Sequence, residues 1–252
     1  MPTPFSHLAV AQRLLDEPAI DSASRALLSR QRAAFLLGSV AADARVGAGT
    51  PRSATHFYHY VQHMNAMPPW RVMMEAHPVL WSPVDEAHEA FIAGYVAHLA
   101  MDEIWSRQMV GPYFVGGAWG DQRLRFVMLH VILIVLDERD ERMLAEWQSE
   151  ALSRAVPHNW LPFLPDAALI DWRDLIYQQI RPGGVSQTLH IFGQRAGKTP
   201  QELRQLLDSE REMHELLWQY VPQGYLAEVE QAMYAHCVSQ MGAFLARQMV
   251  WP

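Results

Sequence analysis

The chain has 252 residues, half of them apolar and 19% charged. That suits one large domain or two small ones with an ordinary core, and excludes a disordered segment. Its formal charge of −7, from 20 Lys and Arg against 27 Asp and Glu, is no footprint for gripping a nucleic-acid backbone. A lone cysteine, Cys237, excludes an internal disulfide and thiolate metal clusters. The longest apolar run, Val131 to Leu136, is far too short to span a bilayer, and MPTPFSHLAV lacks the basic and apolar regions of a signal peptide. A cytoplasmic location is the expectation.

In chain order, Ser6 reads as an N-cap, which puts His7 at the start of a helix running from Phe5 to about Leu15. A second helix is predicted from Ser22 to about Val40, followed by the Gly-, Ala- and Pro-rich stretch GSVAADARVGAGTPRS carrying Asp43. Alone, His7 reads more readily as a cap or surface residue than as a ligand, and Asp43 as a turn residue bonding its own backbone. Ser53 to Met64 is predicted helical, with His56, His59 and His63 at i, i+3 and i+7 on one face; one of the three is expected to ligate a metal. Four prolines make Met67 to Pro83 a connector.

Asp85 to Arg107, DEAHEAFIAGYVAHLAMDEIWSR, organises the rest. It is a strong helix whose centre is almost entirely apolar, which implies burial on most sides. His98 and Asp102 interrupt it four residues apart, one turn along the same face. A buried carboxylate needs a cation or donors, and an imidazole one turn away makes either a two-point clamp for a divalent metal or a structural hydrogen-bonded pair. Gly94 and Ala97 leave room beside that face for another segment or a ligand.

Gly111 to Gly120, with Tyr113, Phe114 and Trp119, reads as a lid over a pocket or a turn stapled by aromatics. A long helix is predicted from Asp121 to about Arg154. His130 and Asp137 lie two turns apart on it, as a structural polar pair or as support for the first site, and Asp137 to Arg142 reads as a solvated charged face. After the proline-rich break Pro157 to Pro165, helices are predicted over Asp166 to Ile180, Val185 to Arg195, Pro200 to about Tyr220 with Thr199 as cap, and Tyr225 to Met249. No phosphate-loop spacing and no strand alternation is present. The expectation is an all-α protein of eight or nine helices in one compact domain. Residues 1–110 are its putative metal-site half and 121–252 a helical half of unknown role.

SHLAVA, FLLGSVAADARV around Asp43, ATHF at His56 and FIAGYVAHLAMDEIW together resemble the zinc-dependent phospholipase C family and, more remotely, the fungal single-strand nucleases of the same all-helical fold. The resemblance covers about residues 5 to 110. It implies that His56, His98, Asp43 and Asp102 hold one zinc, with Asp102 and His7 helping to hold a second. The family's secreted members also use an N-terminal Trp amine. Their third ion needs further histidines and a Glu after the His-x-x-x-Asp helix, where this chain has Trp105 and no histidine before His130. One or two zinc ions are therefore the expectation.

Such a site implies a hydrolase acting on a small-molecule phosphoester, a phospholipid headgroup or another phosphodiester, through a metal-bound hydroxide. Asp43 is either a ligand or the catalytic base. The alternatives are a non-catalytic helical protein with a structural metal, which a site filled by protein ligands would favour, and a metal-free protein binding a small molecule or a partner.

Overall fold

The first helix begins at its proline. In the computed structural model, which describes residues 2–59 and 67–247, α1 spans Pro4–Leu14 with Thr3 as N-cap. The Thr3 side chain accepts from the Ser6 amide, so Ser6 lies inside the helix and its hydroxyl donates instead to Asp140 Oδ2 at 2.5 Å. His7 is in the first turn, and its side chain is buried.

The single helix expected up to Val40 is two, α2 (Ser22–Arg30) and α3 (Arg32–Ala41), meeting at Gln31. The apolar period carries across the junction, but α2 buries only Leu28 whereas α3 is buried from Ala34 to Ala41. The chain turns inward there. A 3-10 turn at Ala42–Ala44, α4 (Arg45–Ala48) and α5 (Ser53–His56) follow. Phe57 takes a left-handed conformation, φ 60°, that stops α5 after one turn. His59 is therefore exposed and off the helix rather than on a shared face, and His63 lies outside the described residues.

The prolines expected to make a connector instead start structure. Pro69 opens α6 (Pro69–Ala76) and Pro78 a 3-10 turn ending at Trp81, because the first helical position has no amide to lose. Next is α7 (Glu86–Ile104), capped by the Asp85 side chain on the His88 amide. Every residue from Ala90 to Glu103 is buried, packed between α3 and the last helix, α14. The approach of α3 is backbone to backbone. A Cβ on Gly94 would lie 2.3 Å from the Phe35 carbonyl oxygen, and one on Gly38 only 2.0 Å from that of Phe91.

Beyond Ile104 the helix widens into a π-helical coil over Trp105–Val115. Pro112 has no N–H for an α-type ladder, and the Gly116 amide donates to the Gly111 carbonyl, five residues back, at 2.8 Å. The first half of the glycine-rich stretch is thus helical, and its aromatics face the C-terminal half: Tyr113 packs on Tyr225, and Trp119 stacks on Tyr220 with ring centroids 4.8 Å apart.

The long helix expected to reach Arg154 is interrupted, giving α8 (Gln122–Glu141) and α9 (Trp147–Ser153). Asp137 and Asp140 are buried rather than part of a solvated face. Then come α10 (Asp166–Ile180), α11 (Thr188–Ala196), α12 (Pro200–Asp208), α13 (Glu210–Met213), a π turn at His214–Trp218 and α14 (Gln223–Leu245). Thr199 and Glu202 form the expected capping box, but the helix ends at Asp208 because Ser209 leaves helical geometry and caps α13. Among the described residues there is no strand, and one contiguous core makes the protein a single all-α domain of more and shorter helices than expected. None of these helices is long and apolar enough to cross a membrane.

Candidate metal centre

The contact between Gly38 and Gly94 positions the centre. It lays the last turn of α3 against the middle of α7, so the Ser39 carbonyl meets His98 Nδ1 at 2.8 Å and the chain leaving α3 delivers Asp43. α1 brings His7 from the other side. Its ring lies parallel to that of His98, centroids 3.8 Å apart. α5 delivers His56. Four separate segments thus bring His7, Asp43, His56, His98 and Asp102 together, and four of the five are at most 1% exposed; Asp43 is the most accessible, at 9%.

Their ligand atoms are spaced as a small cation would space them. His56 Nε2 lies 3.4 Å from His98 Nε2 and 3.3 Å from Asp102 Oδ2, and His98 Nε2 lies 3.6 Å from that same oxygen. Asp43 Oδ1 is 3.5 Å from His56 Nε2, and His7 Nε2 is 3.6 Å from Asp102 Oδ1. A tetrahedral zinc with bonds of about 2.0–2.2 Å has ligand–ligand edges of about 3.3–3.6 Å. These separations are long for hydrogen bonds and right for those edges.

Hydrogen bonds fix the tautomers. The Ser39 carbonyl takes the His98 Nδ1 proton. The Thr55 hydroxyl donates to the Arg52 carbonyl and so accepts from His56 Nδ1 at 2.9 Å. Both rings turn Nε2 inward, and neutral imidazole then offers its lone pair there. Among the described residues, two triads meet the spacing for a metal, His7–His98–Asp102 and Asp43–His56–His98, and they share His98. One Nε2 lone pair serves one ion, so the two triads cannot be filled independently.

The electrostatics fit a cation as well. Burial lowers the pKa of His7 to about 4, helped by the His98 charge, and that of His56 to about 4, helped by Arg52. Burial also opposes the charged forms of His98 and Asp102, but their mutual attraction outweighs it: His98 is raised, and Asp102 is held well below the usual carboxylate range with help from His56 and His7. Even so, both ring nitrogens of His7 and Oδ1 of Asp102 are buried with no hydrogen-bond partner among the described residues. Orphaned polar atoms facing one another in a buried cluster are what a bound cation relieves. The donor set fits zinc.

Two features were not anticipated from the sequence. Arg52 lies one turn before His56. Its guanidinium reaches Asp102 Oδ2 at 3.1 Å and the Tyr58 hydroxyl at 2.7 Å. The second is a cavity of about 400 Å³ with Asp43 and Arg52 on its wall. Pro2 to Phe5 of the first half also line it, but much of the wall comes from the half of the chain to which no role was given, including Trp172, whose indole N–H donates to the Val40 carbonyl at 2.8 Å. Arg45 and Arg195 line it too, with Val46, Val115 and Phe126 about half exposed. Tyr113, Phe114 and Trp119, read as a lid over a pocket or as the staple of a turn, do not line it. His130 and Asp137 line it without pairing: His130 Nδ1 donates to the Phe126 carbonyl at 2.7 Å, and Asp137 accepts from Thr188. No family model, curated protein or solved structure matches this chain.

Proposed function

We propose that the protein is a zinc-dependent hydrolase of small-molecule phosphoesters, with His56, His98, Asp102 and Asp43 holding one ion and His7 with the outer oxygen of Asp102 available to a second. The observation that carries this reading is the convergence of five metal-type side chains, with neighbouring ligand atoms 3.3 to 3.6 Å apart, beside a cavity rich in arginine. Zinc held there would supply a Lewis acid and lower the pKa of a water from about 16 to about 7.

The chain's own residues account for the rest. Ser39 and Thr55 aim the imidazoles, and Arg52 holds the Asp102 carboxylate in place. Asp43 joins the cluster to the cavity, so it is either the fourth ligand or the base that takes a proton from water on the cavity side. Arg45, whose buried Nε has no partner among the described residues, faces the same cavity and would neutralise a phosphoryl oxygen. The apolar wall and half-exposed rim suit the organic part of the ester.

Complete burial of His56, His98 and Asp102 favours a second reading, a structural zinc closed by Asp43. Metal content by elemental mass spectrometry, beside a His98→Ala, Asp102→Ala double variant, tests both. One or two zinc per chain, lost in the variant, with turnover of bis(4-nitrophenyl) phosphate, supports the hydrolase. Zinc without turnover of phosphodiesters or phosphomonoesters leaves the structural site. Less than about a tenth of an equivalent, unchanged on zinc addition, overturns both readings.

A further inference from the structure

The cavity has a second polar region that the metal cluster does not use. Asp137, on α8, is buried, and its Oδ2 accepts from the Thr188 hydroxyl. Its Oδ1 is buried on the cavity wall with no hydrogen-bond partner among the described residues. Thr3, Thr188 and Gln179, all buried, share this stretch of wall. The Gln179 oxygen is taken by the Gln187 amide at 2.8 Å, the Thr3 hydroxyl accepts from the Ser6 amide, and the Thr188 hydroxyl accepts from Ser186 as it donates to Asp137, so the oxygen left for a ligand is Asp137 Oδ1. Burial pushes the Asp137 carboxyl up to about 7 against the pull of the Thr188 and Thr3 hydroxyls, and the negative charges of Glu141 and Asp140 push it the same way as burial. Among the described residues no salt bridge reaches this carboxylate. A single carboxylate flanked by hydroxyls is too poor in charge for a dication, which asks for several oxygen ligands and usually more than one carboxylate. A compact monocation with several N–H donors fits it.

We propose that this region binds a primary ammonium group. The cavity's ligand is then an amine-bearing anion, its ammonium on Asp137 and its anionic group on Arg45, with apolar atoms against Phe5, Leu129, Leu133 and Phe192 between them. The identification rests on the phosphoester reading for the anionic end only. The volume of about 400 Å³ lies in the range of small-molecule sites. Asp137→Asn keeps the side chain's shape and removes an ionisation that burial disfavours, so it is expected to fold.

The test uses probes that cannot be hydrolysed: alkylphosphonates of four, six and eight carbons, and the same chains carrying a terminal primary amine, titrated calorimetrically into the full-length protein and into Asp137→Asn. At the best-fitting length the amine is expected to tighten binding by about tenfold or more, the scale of a hydrogen bond to a charged group. In Asp137→Asn the two series should fall within about twofold of each other while the plain alkylphosphonates bind as before. Equal affinity of both series at every length in the wild type, as when ordered water satisfies Oδ1, overturns the proposal. So does an amine preference that survives in Asp137→Asn, or no binding by either series. Because the readout is binding, failure of the hydrolase reading leaves each of these outcomes interpretable.

Discussion

Replacing His7 by leucine should stabilise the metal-free protein and reduce the gain that zinc gives. In the metal-free protein both nitrogens of this ring are buried with no partner, and each such atom costs about 1–3 kcal/mol. Leucine is close in volume and carries neither atom. It loses the parallel stack on His98, at about 0.5–1.5 kcal/mol, so the net gain is about 2 kcal/mol. For a chain of this size, about 2–4 °C per kcal/mol translates that into a melting temperature higher by about 4–8 °C. The comparison belongs at pH 7.5, well above the value of about 4 to which burial depresses His7, so that the ring is neutral throughout. With zinc at about a thousand times its dissociation constant, the wild type should gain about 4 kcal/mol. The variant keeps the four ligands of the first ion and loses one of the second's, so the part of the gain that the second ion supplies should disappear, and where that part exceeds about 2 kcal/mol the order of melting reverses. Differential scanning calorimetry of chelator-treated and zinc-loaded protein reads both arms. A metal-free variant that melts below the wild type would show the ring nitrogens to be satisfied. An equal zinc-induced rise in both proteins would remove His7 from the metal site.

Gly94→Ala should destabilise by about 3 kcal/mol or more, since its Cβ would sit 2.3 Å from the Phe35 carbonyl oxygen and neither backbone can yield; a urea midpoint within 0.5 kcal/mol of wild type would contradict the close contact. Thr55→Val removes the acceptor that fixes His56, and zinc affinity by chelator competition should fall about 10- to 100-fold, whereas an unchanged affinity would free His56 from that role. Asp137→Asn gives the pH dependence. Asp137 keeps its proton up to about 7 in the fold but loses it near 3.8 when unfolded, so the unfolded state binds fewer protons between those values and wild-type stability falls as pH rises. The Asn variant's advantage should be absent below pH 3.8 and grow to about 4 kcal/mol by pH 7; a constant difference from pH 4 to 7 would refute the assignment.

How much of this was legible in the sequence depended on the range of the interaction concerned. His98 and Asp102 stood out because a helix with no wet face has nowhere to put an imidazole and a carboxylate except inside, and both are completely buried. His7, Asp43 and His56 carried no such local signal. Only the order and spacing of their segments, through the resemblance, assembled them, and the fold does bring them together. Helix boundaries failed where a local rule met a tertiary demand. The apolar period crosses Gln31 without a break, yet α3 must turn inward to meet α7. Phe57 carries no helix-breaking signal, yet it takes a left-handed conformation beside the cluster. Pro69 and Pro78 read as breakers because composition does not say whether a proline falls in the interior of a helix or at its first position.

The cavity was out of reach for a deeper reason. Its wall joins Asp43 and Arg52 to Trp172, Thr188 and Arg195, more than a hundred residues later, and none of these later residues forms a motif with its own neighbours. Yet the second half is what gives the cluster a chemical context. Ligand-type side chains with neighbouring atoms 3.3 to 3.6 Å apart are equally consistent with a closed structural zinc. An adjoining arginine-lined cavity, reached through the least buried of the five, has no purpose in a purely structural site. The case for catalysis therefore rests less on the histidines than on Asp43, where the metal cluster and the cavity meet.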